Sequence, residues 1–153
     1  MRDSGSNSLV YEYAPGGKTP SGREIPSIPV MWLRIRSSKL SAISPAIIDT
    51  GFDGGVYSDD RLPAIFEGEA PERLETLHQF GGRIKCEVFK ARGWLLREGG
   101  GEGKIDLGDI SVYIPIKAEN LAENIVVGRE ILNALEILLK DGSKAFVTCA
   151  KRP

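Results

Sequence analysis

The chain has 153 residues, 41% of them hydrophobic and 27% charged, with a formal net charge of −1. That length and apolar content suit one globular domain with a real core and exclude global disorder. The near-neutral balance, with Lys and Arg scattered among acids rather than gathered in a stripe, gives no reason to expect nucleic acid or an anionic membrane as partner.

Residues 1–29 read as an N-terminal arm, extended or mobile, because Pro15-Gly16-Gly17 and Thr19-Pro20-Ser21-Gly22 are turn and breaker chemistry. Leu9 to Tyr13 can still form one short strand. The start of the chain lacks a basic segment followed by an apolar run, and no apolar run approaches the roughly 20 residues of a membrane span. A cytoplasmic location is the default expectation. From Val30 the pattern changes. Val30 to Arg36 predicts a strand, its last four residues, Leu33 to Arg36, alternating apolar with basic. Ser44 to Ile48 is a continuous apolar run that breaks abruptly into Asp49-Thr50-Gly51, as a buried strand delivering an acid to a site would.

Asp59 to Phe66 suits a short helix limited by Pro63. Leu74 to Phe80 and Ile84 to Leu96 flank Gly81-Gly82, a hairpin signal, with a kink expected at Gly93. Glu98 to Gly103 is a solvated connection, and Ile105 to Pro115 is a further strand. After Ile125 to Glu130, the residues Ile131, Leu132, Leu135 and Leu138 fall at helical spacing and predict a helix ended by Asp141-Gly142. Ala145 to Cys149 is the last strand. Six or seven strands, one helix and no βαβ alternation make an all-β domain over residues 30–153.

Two glycine-rich pieces invite a ligand and fail to fit one. Gly99 to Lys104 would be a phosphate loop, but its first required glycine falls at Glu98 and Ile105 stands where Ser or Thr must hold magnesium. Asp49, Asp53, Gly54 and Asp60 partly imitate a calcium loop, yet Gly51 at the third position offers no side-chain oxygen. No metal and no cofactor are expected. His78, the only histidine, has no partner for a triad and is read as a strand residue on or near the surface. Cys86 and Cys149 show no CxxC spacing and are read as two buried thiols.

An acid at the end of an apolar strand is expected to be partly desolvated, which favours its protonated form. Gly51 lets the backbone pass close to it with amide groups turned toward the carboxylate. A second segment gives this short pattern weight: Val126-Val127-Gly128-Arg129-Glu130-Ile131-Leu132. Taken together with Ala46-Ile47-Ile48-Asp49-Thr50-Gly51, it resembles the retroviral-type (retropepsin-like) aspartic proteases over roughly Val30 to Cys149. In that family a strand ends in Asp-Thr/Ser-Gly, a hairpin forms a flap, and an apolar pair followed by Gly and often Arg opens the only helix.

The resemblance implies a small closed β-barrel, the acid-protease half-fold, with a flap hairpin and one C-terminal helix. It implies that Asp49 is catalytic and that Thr50, Gly51, Asp53, Gly128 and Arg129 support its loop, with an Asp53–Arg129 ion pair bracing that loop against the helix. Phe52 stands where Ala or Ser is commonest in the viral enzymes and is expected to line a substrate pocket. Phe80, Gly81 and Gly82 fall at the flap. Only one Asp-Thr-Gly occurs, so a dyad needs a homodimer, with peptide or protein as substrate. The alternative on the same fold is a non-catalytic dimeric module that binds peptide or acts as a scaffold.

Overall fold

The computed structural model describes residues 8–79 and 81–149. Among the described residues there are ten strands: β1 (Ser8–Glu12), β2 (Val30–Arg36), β3 (Ser41–Ile48), β4 (Val56–Tyr57), β5 (Arg73–Gln79), β6 (Gly82–Leu96), β7 (Lys104–Pro115), β8 (Val126–Val127), β9 (Leu135–Lys140) and β10 (Lys144–Cys149). The α-helix α1 (Arg129–Leu132) is a single turn. The all-β class expected from the sequence is the class observed.

Seven strands form one sheet in the order β2-β3-β8-β4-β7-β6-β5, and β2 also pairs with β6. That extra pairing closes six strands into a ring and leaves β5 outside it as a free edge. The ring is built on alternation. Leu33 and Ile35 of β2 are each 1% exposed while their neighbours face outward, and the same period runs through β6 and β7. One main core fills the interior with Met31, Leu33, Val56, Leu95, Val112 and Val127 among its members. A second, smaller cluster holds Phe52, Tyr57, Leu77, Cys86, Val88 and Tyr113 under the β5–β6 hairpin. The register of β6 against β7 shifts between Gly93 and Trp94, the kink anticipated at Gly93. A side chain at that glycine would come within 2.7 Å of Ile110 Cδ1.

The second sheet, β1-β10-β9, draws the N-terminal segment onto the body. Tyr11 is fully buried, and its hydroxyl donates to the Leu96 carbonyl at 2.6 Å. Isolated bridges at Ala14–Ile28 and Lys18–Glu24 then fold residues 14–28 back on themselves. From Ser8 to Tyr13 the segment expected as an extended or mobile arm is extended and held to the body.

The predicted C-terminal helix is shorter than its spacing suggests. It stops at Leu132, and Leu135 to Lys140 forms β9, paired with β10 across Asp141 and Gly142. Asp141 and Gly142 both adopt left-handed backbone, φ 50° and 62°. Asp-Gly between two apolar runs is a hairpin signal as strong as Gly81-Gly82, and it outweighs a leucine spacing shared by helix and strand. The helix expected near Pro63 is a 3-10 turn over Leu62–Phe66. Its entry is held by Asp59, 1% exposed, whose carboxylate accepts from the Arg61 and Leu62 amides and pairs with the Arg61 guanidinium at 2.7 Å. Among the described residues no helix is long and apolar enough to cross a membrane.

His78 is an exposed strand residue, as read from the sequence. The cysteines need a correction. Cys86 is buried, and burial pushes its thiol up to about 11, whereas Cys149 is exposed. Cys149 ends the last paired strand, where one face of β10 meets solvent. Since the thiolate is the reactive form, one thiol per native chain should react quickly with a disulfide reagent near pH ~8. The second should react only after unfolding, and mass spectrometry after brief labelling checks the order. Tyr11→Phe, which strands the Leu96 carbonyl, should lower stability by about 1–2 kcal/mol in urea denaturation.

Candidate active site

The acid loop is placed by two short parallel pairings. β3 meets β8 through Ile47–Val126 and Ile48–Val127. The Ile47 amide donates to Ile125 O at 2.8 Å, and the Asp49 amide to Val127 O at 3.0 Å. Apolar residues are required here because this pair runs through the core: Ile125 and Val127 are at most 1% exposed. Where the pairing ends, the chain turns at once. The Phe52 amide donates back to Asp49 O at 3.2 Å, and Asp49 emerges at the surface.

One carboxylate oxygen is fixed. Asp49 Oδ1 accepts the Gly51 N–H at 2.8 Å, and a side chain on Gly51 would press on that oxygen from 3.1 Å. The other oxygen makes no hydrogen bond among the described residues and faces outward. The burial expected for Asp49 is therefore not present in a single chain, where the loop points away from the core. Thr50 beside it is also exposed.

The loop is clasped from behind by the start of α1. The Gly128 amide donates to Gly55 O at 2.8 Å, the Arg129 amide to Phe52 O at 2.8 Å, and the Glu130 amide to Gly54 O at 3.1 Å. This contact leaves no room for a side chain at Gly128. A Cβ there would collide with the Gly54 carbonyl and lie 2.5 Å from both Phe52 Cδ2 and Phe52 O. Arg129 then reaches forward, and its Nη1 donates to the Thr50 carbonyl at 2.6 Å.

Two expected roles change. The Asp53–Arg129 ion pair does not form: the Arg129 guanidinium is spent on a main-chain carbonyl, so the brace exists by another route, and Asp53 lines a groove beside the loop. Phe52 does not line a pocket either. It is 1% exposed and points inward, edge-on to Tyr57 and Tyr113 at ring separations of 5.9 and 5.7 Å. Once the carboxylate faces outward, the turn sends this ring into the core, which explains why an aromatic is tolerated there.

The groove beside Asp53 has a volume of ≈ 250 Å³ and is walled by β5 (Arg73, Glu75, Thr76, Leu77, His78) on one side and by Asp53, Tyr113 and Glu130 on the other. The hairpin and the acid loop thus face one another across it. Tyr113 donates to Glu130 Oε1 at 2.6 Å, Arg73 Nη2 donates to the Tyr113 hydroxyl at 3.3 Å, and Arg73 Nε donates to Glu75 at 2.7 Å. Burial, then the Glu130 hydrogen bond, holds the Tyr113 phenol above its ordinary range, so it is a donor at any working pH. Sequence reasoning did not single out Arg73, Glu75, Tyr113 or Glu130. Only Glu130 had a local signal, its place directly after Gly128-Arg129.

Gly81 has φ 77°, which its turn requires of a glycine, and Gly82 pairs with Gln79 to close the β5–β6 hairpin. Phe80 lies outside the described residues. Among the described residues no group of three or more His, Cys, Asp or Glu could hold a metal ion.

No protein-family model and no curated protein matches the chain. Among solved structures it is similar to a retropepsin-like aspartic protease from Rickettsia conorii, at 9% identity over 94% of this chain and 96% of that one, with a TM-score of 0.45.

Gly128→Ala should cost at least ~2 kcal/mol, because the new methyl meets rigid backbone rather than a movable side chain. A lowered melting temperature, measured by circular dichroism, is the expected outcome.

Proposed function

We propose that the chain is a homodimeric aspartic endopeptidase whose two catalytic carboxylates are the Asp49 side chains of two copies. The observation that carries this reading is the Asp49 carboxylate itself, with one oxygen held by the Gly51 amide and the other turned outward from a loop clasped by α1. No other acid among the described residues hydrogen-bonds to it. A single carboxylate cannot take a proton from water and give one to the substrate in the same step. A twofold axis beside the loop would supply the second from an identical chain, with the exposed Thr50 residues meeting across it.

Two carboxylates a few ångströms apart cannot both ionise easily, so the pair holds one proton and titrates as a unit. The ionised member takes a proton from water as the water oxygen bonds to the peptide carbonyl carbon. The protonated member gives its proton to the carbonyl oxygen. The resulting diol collapses with breakage of the C–N bond, and the leaving nitrogen takes up a proton. No covalent enzyme intermediate forms. An extended peptide would lie in the groove between β5 and the acid loop, pairing with the free edge of β5, and the hairpin bearing Gly81 and Gly82 would close over it.

Asp49→Asn keeps the size of the side chain and the acceptor for the Gly51 amide while removing the shared proton. Peptide cleavage near pH ~5 should fall by at least ~10³-fold, with the dimer unchanged in sedimentation velocity. Cleavage undiminished in that variant would remove the catalytic role. A wild-type chain that is dimeric and binds peptides but never cleaves them would favour the scaffold alternative.

A further inference from the structure

The outer face of the β5–β6 hairpin carries a second cavity, separate from the acid loop. Thr76 of β5 stands opposite Lys85 of β6, and the Ile116 amide donates to the Lys85 carbonyl at 2.9 Å. Thr76, Lys85 and Ile116 therefore form one row across three adjacent segments of the sheet, all on the same face. Arg83 lies two residues along β6 on that face. Lys117 and Asn120 come over from the turn that follows β7, and together these six residues enclose ≈ 290 Å³. The far wall is anchored: the Asn120 amide donates to Lys117 O at 3.0 Å, and the buried Tyr57 hydroxyl donates to Asn120 O.

The charge of this cavity is one-sided. Arg83, Lys85 and Lys117 line it, and no acid does. Among the described residues none of the three pairs with a carboxylate within 4.0 Å, and none of their side chains makes a hydrogen bond. Two other cavities among the described residues differ. The groove by the acid loop sets Asp53, Glu75 and Glu130 against Arg73, and a third cavity, holding Arg36, Lys90 and Arg92, also holds Glu69 and Asp109. Three cations gathered without a counter-charge repel one another, and an anion between them relieves that repulsion. Arg83 can fork onto two oxygens, and the lysines act as point charges. The Thr76 hydroxyl and Asn120 amide add neutral donors. Ile116, 53% exposed, forms an apolar wall beside this polar set.

We propose that this cavity is a binding site for a doubly charged oxyanion carried on a small apolar body, as in a phosphate monoester. Three cations match a dianion better than a single carboxylate, and Ile116 gives the organic part a surface to lie on. The site is independent of the peptidase reading, because none of its residues belongs to the acid loop or its clasp.

The full chain, titrated with phenyl phosphate near pH ~7.5, where the monoester is a dianion, at a fixed ionic strength of ~0.15 M, tests this. Saturable binding with a dissociation constant below ~1 mM is expected, with amide NMR shifts confined to the neighbourhood of residues 76, 83–85 and 116–120. Lys85→Ala/Lys117→Ala should weaken binding at least ~10-fold, and Lys117→Glu should weaken it further; both positions are exposed, and an unchanged circular dichroism melt confirms the fold. Benzoate, with one charge, should bind at least ~10-fold less tightly than phenyl phosphate. Ile116→Ser should erase the preference for phenyl phosphate over inorganic phosphate. No saturable binding, shifts centred elsewhere, undiminished affinity in both lysine variants, or benzoate binding as tightly would each overturn the assignment.

Discussion

Two stretches of backbone, Phe52 to Gly55 and Gly128 to Glu130, approach so closely that Gly128 has no space for a methyl group, while the Phe52 and Tyr113 rings close the space at Gly54. The presentation of the acid follows from that contact. Three main-chain hydrogen bonds cross it, each worth about 1 kcal/mol net but costly to leave unmade in a region this buried. They start α1 where it starts, and that start lets Arg129 reach the Thr50 carbonyl. The carboxylate of Asp49 is rigid because the segment behind it cannot move without breaking several bonds at once. A helix of one turn has little stability of its own, so α1 and the acid loop depend on each other.

Ring closure has a complementary effect on β5. Six strands satisfy one another around the barrel, and β5 is attached by its pairing to β6 and by Leu77, the one buried side chain along its length. Elements with few buried contacts open at lower free energy than the core they border. The arm that walls the groove opposite Asp53 is thus the most weakly held strand of its sheet, while β6 beside it is anchored through Cys86, Val88 and Phe89. An edge with unpaired main-chain groups is normally a hazard of association. Charged and polar side chains along β5 blunt it without removing its capacity to pair.

The strands were legible where their period of two was backed by a break. Val30 to Arg36 coincides with β2, and Ile105 to Pro115 differs from β7 by one residue. The acid loop and the Gly128 clasp were legible because both are short local patterns. The C-terminal helix was overextended because leucines three and four apart also serve a half-exposed strand, and pairing with β10 decided between them. The inward turn of Phe52 and the partner of Arg129 could not be read at all. Both depend on which way a tight turn throws its side chains, and that is fixed by contacts between segments about 75 residues apart in the chain. The Arg73–Tyr113–Glu130 chain of hydrogen bonds is of the same kind, joining three elements with no shared local motif.

The hairpin separates charge by the same alternation that builds it. Arg73, Glu75 and Leu77 face inward, so the acid-loop groove receives the carboxylate of Glu75 beside Asp53 and Glu130. Arg83 and Lys85 face outward with Thr76, so the cations collect on the opposite side. A net charge of −1 for the whole chain conceals this separation. Thr76 borders both cavities because β5 is a single strand at an edge, with nothing beyond it. An anion held by Lys85 and Thr76 would therefore restrain the strand that also walls the inner groove. It would do so next to Leu77, the strand's single buried side chain, adding a second hold to an element that has few.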